Sequence, residues 1–567
     1  MDYSKVAQWI AGDPDTLTRD EITALVAAAK NDQGAAAELA DRFAGNLQFG
    51  TAGLRGKMAG GSNRMNRAVV IRAAAGLISY LKALIQDTTT HPVRVVIGND
   101  ARHNSRQFAL DSAAVITAAG AHTLLLPDPV PTPLLAYAVR HLEADAGVMV
   151  TASHNPAQDN GYKVYLGGRA VSPAECGAQI VPPHDAAIAA QIERADPAAE
   201  IPRAENGWED LASDFATEYI QAISTDELPA APIRIVHTAM HGVGSQIALP
   251  AMQLAGFTDV IPVAAQRDPD PDFPTVSFPN PEEPGAIDLA LALAKSNNAD
   301  VVLANDPDAD RLAVAVNDPR SGWRMLHGDE LGAVLGAAIA ARTSAAEASH
   351  MVFVNSVVSS RLLSKIAAAR GIRHETTLTG FKWMSRVADM VYAYEEAIGY
   401  CVRPDLVRDK DGLAAAVQIA RLVARLKAEN RSLIDLLDDL ARQHGLYLTS
   451  QLSARFDDLT QIPQTMARLR SQPPQSLAGA RVDKIVDLSQ GSAALPPTDG
   501  ILITTKRDDQ VIVRPSGTEP KVKCYLEVVT PVTPDATFYE LTNLRADAKQ
   551  RLEQLKSDVD KALFNPD

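Results

Sequence analysis

Three aspartates alternate on one short segment, Asp306-Pro307-Asp308-Ala309-Asp310-Arg311, directly after the apolar run Val301-Val302-Leu303. If their carboxylates converge, each pair at about 4 Å costs about 4 kcal/mol at an effective dielectric near 20, so convergence calls for a cation. Hard oxygen donors favour Mg2+ or Ca2+. An EF-hand loop begins with the same alternation, but its sixth position needs Gly and is Arg311, and its twelfth needs Glu and is Asn317. A solvated acidic turn is the alternative, and the apolar run leading into the segment weighs against it. A second group is Thr151-Ala152-Ser153-His154-Asn155-Pro156, continuing to Asn160-Gly161-Tyr162-Lys163. Ser153, on a turn of small residues after Gly147-Val148-Met149-Val150, is exposed enough to be a nucleophile. His154 is adjacent to it, and successive side chains usually diverge, so a Ser-His base pair is not expected. Nor is there a Gly-x-Ser-x-Gly elbow. Taken alone, these residues read as a Ser/Asn-Pro turn with a surface histidine.

Three weaker groups accompany these. Arg514-Pro515-Ser516-Gly517-Thr518 offers a guanidinium, two hydroxyls and a glycine amide, donors suited to a phosphate or, equally, an ordinary polar turn. The glycine-rich run Leu47 to Lys57 contains Arg55 and Lys57 but lacks the Gly-Lys-[Ser/Thr] spacing of a P-loop. Tyr394-Glu395-Glu396-Ala397-Ile398-Gly399-Tyr400 places two carboxylates after a strand; alone, it reads as a helix start.

These groups need a scaffold, and the chain is long enough for several domains: 567 residues, 46% apolar, 22% charged, with a formal net charge of −15. The acidity argues against a polyanion-binding surface and hence against nucleic acid as a partner. Cys176, Cys401 and Cys524 are far apart, which argues against a zinc cage and fits a reducing compartment. The longest apolar run, Leu331 to Ala341, is too short for a bilayer, which needs about 20 residues. The start, Met1-Asp2-Tyr3-Ser4-Lys5, shows no basic segment before an apolar core, so no signal peptide, no membrane and a cytoplasmic location are expected. Residues 3–44 read as helices. Strands at 93–97, 147–150, 233–236 and 301–303 then alternate with helical stretches such as Ile287 to Lys295 and Glu330 to Arg342, predicting α/β layers with ligand groups at strand ends. Pro182-Pro183-His184-Asp185 and Arg267 to Pro284 read as loops or linkers. After about 450 a hairpin (501–505 with 511–513), a third strand (522–529) and a closing helix (537–562) predict a small α+β domain.

Taken in order, the five groups resemble the α-D-phosphohexomutase superfamily. Gly50 to Gly56, His241-Gly242-Val243-Gly244, Phe278 to Gly285 and Gly380-Phe381-Lys382-Trp383-Met384 resemble the branch containing phosphoglucomutase-2 and phosphopentomutase. The resemblance covers roughly residues 40 to 530. It implies three related α/β domains with mixed sheets and a C-terminal α+β domain around a cleft, with boundaries expected at 1–205, 206–320, 321–448 and 449–567. It implies that Ser153 is carried as a phosphoserine and that Asp306, Asp308 and Asp310 hold Mg2+ against it. It also implies Arg55 and Lys163 beside the phosphoserine, with Lys163 or His154 assisting proton transfer. Arg311, Lys382 and Glu396 would contact substrate, and Arg514, Ser516, Gly517 and Thr518 would hold the phosphate that is not reacting. The implied reaction interconverts sugar 1-phosphate and sugar 6-phosphate, or pentose 1- and 5-phosphate, through a bisphosphorylated sugar. A bisphosphate of the glucose 1,6-bisphosphate type would serve as primer. Its partners would be small sugar phosphates, and its state a monomer or homodimer. Ile398 and Tyr400 stand where many relatives have Ser and His, leaving glucose, mannose and pentose phosphates open. A Mg-dependent sugar-phosphate phosphatase and a non-catalytic sugar-phosphate sensor are the competing readings.

Overall fold

The computed structural model describes residues 3–50, 53–456, 460–492, 495–515 and 521–564. The backbone separates into two compact units, residues 1–315 with 399–424, and residues 316–398 with 425–567.

The first unit opens with helices Tyr3–Gly12, Thr16–Ala28 and Gln33–Arg42. Asp15 and Asp32 cap the second and third, their carboxylates accepting first-turn amides that have no intrahelical partner. A mixed sheet follows in the order Leu54–Lys57, Asp159–Leu166, Ala146–Val150, Arg94–Asn99, His122–Leu125, Glu209–Asp210. Strands Ala146–Val150, Arg94–Asn99 and His122–Leu125 run parallel, and Asp159–Leu166 returns antiparallel. Helices cover this sheet, which is why Val95, Ile97, Val148 and Val150 are all buried and the strands read as unbroken apolar runs. A second sheet places Val301–Asn305 beside Ile235–Thr238 in parallel and beside Leu312–Asp318 in antiparallel register. Both Ser153 and Asp306 therefore follow the carboxyl ends of buried strands.

The expected loop at 182–185 is corrected: helix His184–Arg194 begins there, with Pro183 as its N-cap. Proline is tolerated because the first turn of a helix has no use for its amide hydrogens. The segment 267–284 is irregular, as its prolines dictate, apart from tight turns.

In the second unit, Arg373–Thr377, Val352–Ser356 and Met390–Glu395 form parallel pairs around the central strand Val352–Ser356. Helices Gly328–Arg342 and Leu362–Ala369 pack together beside them. The α+β region has the expected hairpin, Ile501 opposite Val513, and the expected third strand, Lys521–Thr530. Its sheet is larger than anticipated, with strand Leu446–Arg455 paired antiparallel to the whole of Lys521–Thr530. That strand runs through residue 449, where the sequence suggested a boundary. Helix Phe538–Phe564 lies against both strands.

One glycine shows how tightly the site-bearing loops are packed. A Cβ on Gly242 would lie 2.2 Å from Pro307 Cα and 2.3 Å from its carbonyl oxygen, and the next residue, Val243, donates its amide to that same oxygen at 2.9 Å. Gly242→Ala should therefore displace the Asp306–Asp310 segment and cost about 1–3 kcal/mol. Urea unfolding measures this, and an unshifted midpoint would contradict the close approach.

Candidate functional site

Ser153 is 3% exposed, at the turn after strand Ala146–Val150, with φ of +53°. A non-glycine residue in this left-handed region costs free energy and persists only where its surroundings fix it. Arg102 does so, its guanidinium donating to the carbonyls of Ser153 at 2.5 Å, Asn155 at 2.7 Å, Pro156 at 2.8 Å and Asp159 at 3.2 Å. The turned backbone reverses one sequence expectation. Ser153 Oγ and His154 Nδ1 do not diverge; they are 3.2 Å apart. The divergence rule applies to extended or helical backbone, and Ser153 is in neither. His154 is only partly exposed, with 20% of its side chain accessible and its ring 6.5 Å from that of Phe278. Burial, then the charges of Arg311 and Arg55, hold it well below the usual histidine range, so it is neutral near pH 7.

The three aspartates converge, with one oxygen from each within 4.8 Å of the others. All are essentially buried, which removes the solvated-turn reading. Ser153 Oγ donates to Asp306 Oδ2 at 2.8 Å, joining loops 153 residues apart in sequence. The remaining oxygens fall into two kinds. Asp306 Oδ1 accepts the Arg311 amide at 3.0 Å. Asp308 Oδ2 accepts Thr132 Oγ1 at 2.6 Å and Lys163 Nζ at 2.8 Å, while Asp310 Oδ2 accepts Lys163 Nζ at 3.0 Å and faces Lys410 Nζ at 3.4 Å. Asp308 Oδ1 and Asp310 Oδ1, in contrast, are buried with no hydrogen-bond partner among the described residues. Buried carboxylate oxygens without a donor are costly. Two of them beside a third carboxylate and a serine hydroxyl form an all-oxygen set that fits a hard divalent cation.

Titration follows this geometry. Burial, reinforced by the charges of Asp308 and Asp310, drives Asp306 well above the usual carboxylate range. For Asp308 and Asp310 burial acts in the same direction but is outweighed by cations, principally Lys163, and both lie low. Burial alone would lower Lys163; Asp308 and Asp310 outweigh it and hold the ammonium above its ordinary value. Lys163 is therefore a fixed positive charge. Arg55, on strand Leu54–Lys57, donates to Asn155 Oδ1 at 3.1 Å on the serine loop, and Arg311 Nε lies 3.7 Å from Asp310 Oδ1.

In the second unit, Glu396 occupies a turn after strand Met390–Glu395, so the anticipated helix start is corrected. The tightness of that turn is visible at Gly328, where a Cβ would fall 1.9 Å from the Glu396 carbonyl oxygen. Ser356 and Ser359 donate to Glu396 Oε2 at 3.0 and 2.9 Å. Ile398 has φ of +54° and is 1% exposed, so its apolar side chain is buried. Lys382 lies on the short helix Phe381–Met384. Arg514 donates to Thr379 Oγ1, and Ser516, Gly517 and Thr518 lie outside the described residues.

Sequence reasoning missed Arg102, Thr132, Lys410, Ser356 and Ser359. Arg102 had a faint signal, lying three residues beyond the strand end at Asn99. Lys410 lies between Asp409, which binds Tyr165 at 2.9 Å, and Asp411, which binds Tyr219 at 2.8 Å. Nothing local announced that its own target would be Asp310.

Comparison with known proteins shows the family. Models of the phosphoglucomutase/phosphomannomutase family match in order: alpha/beta/alpha domain I over residues 46–199, domain II over 217–322, domain III over 327–444 and the C-terminal domain over 472–533. A protein named "Probable phosphomannomutase" from Haemophilus influenzae is 43% identical over 466 residues, covering 82% of this chain and 93% of its own. "Phosphopentomutase" from Mus musculus is 34% identical over 613 aligned positions, covering 99% and 94%. The crystal structure of a phosphoglucomutase/phosphomannomutase family protein from Burkholderia thailandensis shares the fold, with a TM-score of 0.66 over 90% of this chain and 97% of its own at 20% identity. The chain belongs to the phosphoglucomutase/phosphomannomutase family, within the α-D-phosphohexomutase superfamily. It is a phosphosugar mutase, an isomerase that relocates a phosphoryl group on a sugar. Among the described residues, no helix is long and apolar enough to cross a membrane.

Burial, with Glu395 and Asp329 adding to it, raises Glu396 from 4.5 to about 7. Between those values the unfolded chain releases a proton that the folded chain keeps, so this group makes the fold less stable as pH rises through that window. Relative to Glu396→Gln, the wild type should lose about 3 kcal/mol of unfolding free energy between pH 4 and 8. Denaturant titrations across that range test it, and parallel stability curves for the two proteins would refute it.

Proposed function

We propose that the chain interconverts sugar 1-phosphates and their terminal phosphates through phospho-Ser153 and a bisphosphorylated sugar. The observation that carries this reading is the 2.8 Å contact of Ser153 Oγ with Asp306, in a cluster where two buried carboxylate oxygens have no hydrogen-bond partner among the described residues. Asp306, Asp308 and Asp310, with the Ser153 oxygen or its phosphate, would hold Mg2+, which when bound neutralises charge on the transferred phosphoryl group.

The chain's own groups take the following roles. Phospho-Ser153 gives its phosphoryl group to the free sugar hydroxyl: the new P–O bond forms to the sugar oxygen as the bond from phosphorus to Ser153 Oγ breaks, and the sugar hydroxyl's proton is made good on Ser153 Oγ, which becomes a hydroxyl. In the return step Ser153 Oγ attacks the other phosphate, and its hydroxyl proton passes to His154 Nδ1, neutral and 3.2 Å away. The reverse direction returns that proton to the departing oxygen. Lys163, held charged by two aspartates, does not exchange protons; it balances the cluster. These features favour His154 over Lys163 as the proton-transfer group. Arg55 and Arg311 add positive charge for the phosphoryl oxygens.

Glu396 accepts hydrogens from sugar hydroxyls, its carboxylate steadied by Ser356 and Ser359. Lys382, Arg514, Ser516, Gly517 and Thr518 bind the phosphate that is not reacting. A sugar bisphosphate primes the serine. Because the Ile398 side chain offers no polar group, selection between hexose and pentose is weak, and both glucose 1-phosphate and ribose 1-phosphate should turn over. A panel of glucose-, mannose-, ribose- and deoxyribose-1-phosphates with a bisphosphate primer measures this, and strict use of one sugar would overturn the weak-selection reading.

Ser153→Ala should reduce turnover by at least about 10⁴-fold with the fold intact. Release of inorganic phosphate in place of terminal sugar phosphate would instead make the protein a phosphatase. Asp308→Ala should abolish Mg2+-dependent turnover, and unchanged metal dependence would remove the carboxylate cage from the mechanism.

A further inference from the structure

Thr132 is the first residue of helix Thr132–His141, preceded by Pro131 at the N-cap, and is fully buried. It grips one residue twice. Its hydroxyl donates to Asp308 Oδ2 at 2.6 Å, and its backbone amide donates to the Asp308 carbonyl at 3.0 Å. First-turn amides have no partner within their own helix, so the helix start has both a free amide and a hydroxyl to spend, and both go to the same aspartate 176 residues away. With Lys163 also on Oδ2 at 2.8 Å, that oxygen has two donors, whereas Oδ1 has none among the described residues.

We infer that Thr132 is a positioning residue for the cation site: by occupying Asp308 Oδ2 it fixes the carboxylate so that Oδ1 is the oxygen offered to the metal. The inference rests on the reading of the aspartate cluster as a cation site. Thr132 touches neither substrate nor the reacting atoms, and it works through Asp308. A hydroxyl donor is suited to this role because it fixes direction without adding charge. A cation in its place would compete with the metal. Without the hydroxyl, one of two restraints on Oδ2 is lost and the carboxylate is free to rotate about its terminal bond, which is broad and roughly two-fold.

The test is Mn2+ binding to the full-length, dephosphorylated enzyme, followed by electron paramagnetic resonance. Thr132→Val keeps the side-chain shape and the backbone amide. It should weaken Mn2+ binding roughly tenfold, the low end for loss of an outer partner of a metal ligand. Thr132→Ser should bind as the wild type does, and Thr132→Ala provides a second hydroxyl-free variant should Val disturb folding. In steady state the hydroxyl-free variants should lose kcat while KM for sugar phosphate stays unchanged, a split that simple loosening of the fold would not produce. Wild-type Mn2+ affinity in folded Thr132→Val or Thr132→Ala overturns the inference. If Asp308→Ala also binds Mn2+ as tightly as the wild type, the cluster is not the cation site, and the failure belongs to that underlying reading.

Discussion

Three buried carboxylates in mutual contact are the constraint around which the first unit is built. Their repulsion in a medium of low polarisability exceeds what a turn could sustain alone. It is met by charges and donors brought from distant segments: Lys163 on strand Asp159–Leu166, Lys410 just before helix Gly412–Ala428, and Thr132 at the start of its helix. Removing one partner leaves a charge buried without compensation, so the acidic cluster binds these segments into one unit. The position of 399–424 with the first unit follows this logic, since Lys410 belongs to the acidic cluster.

The price of that convergence appears in the backbone. Ser153, Ala309 and Ile398 all adopt positive φ, and none is glycine. Each lies in a loop that the sequence marked for chemistry, and for a β-branched residue such as Ile398 the conformation is a genuine outlier. Such conformations survive where packing over-determines them, as Arg102 does at Ser153 and as the contact of Gly328 with the Glu396 carbonyl does near Ile398.

Much of this was legible in the sequence because the information was local. Apolar runs ending in polar turns placed Ser153 and Asp306 after buried strands, and alternation of carboxylates pointed to a convergent acidic cluster. What sequence could not supply was direction. The adjacency of Ser153 and His154 argued against contact until the left-handed turn brought the two side chains together. Strand Leu446–Arg455 escaped notice because its apolar residues are interrupted by Thr, Ser and Gln, and its identity depends on a partner some 70 residues onward. Ser356, Ser359 and Thr132 are common hydroxyl residues whose importance lies wholly in what they face.

Arg102 binds the serine loop through four main-chain oxygens and not through its side chains. Carbonyl oxygens remain the same whatever the neighbouring hydroxyl carries. The mooring of the loop is thus blind to the chemical state of Ser153, and under the proposed mechanism the same four bonds would hold the loop with and without a phosphoryl group on its serine.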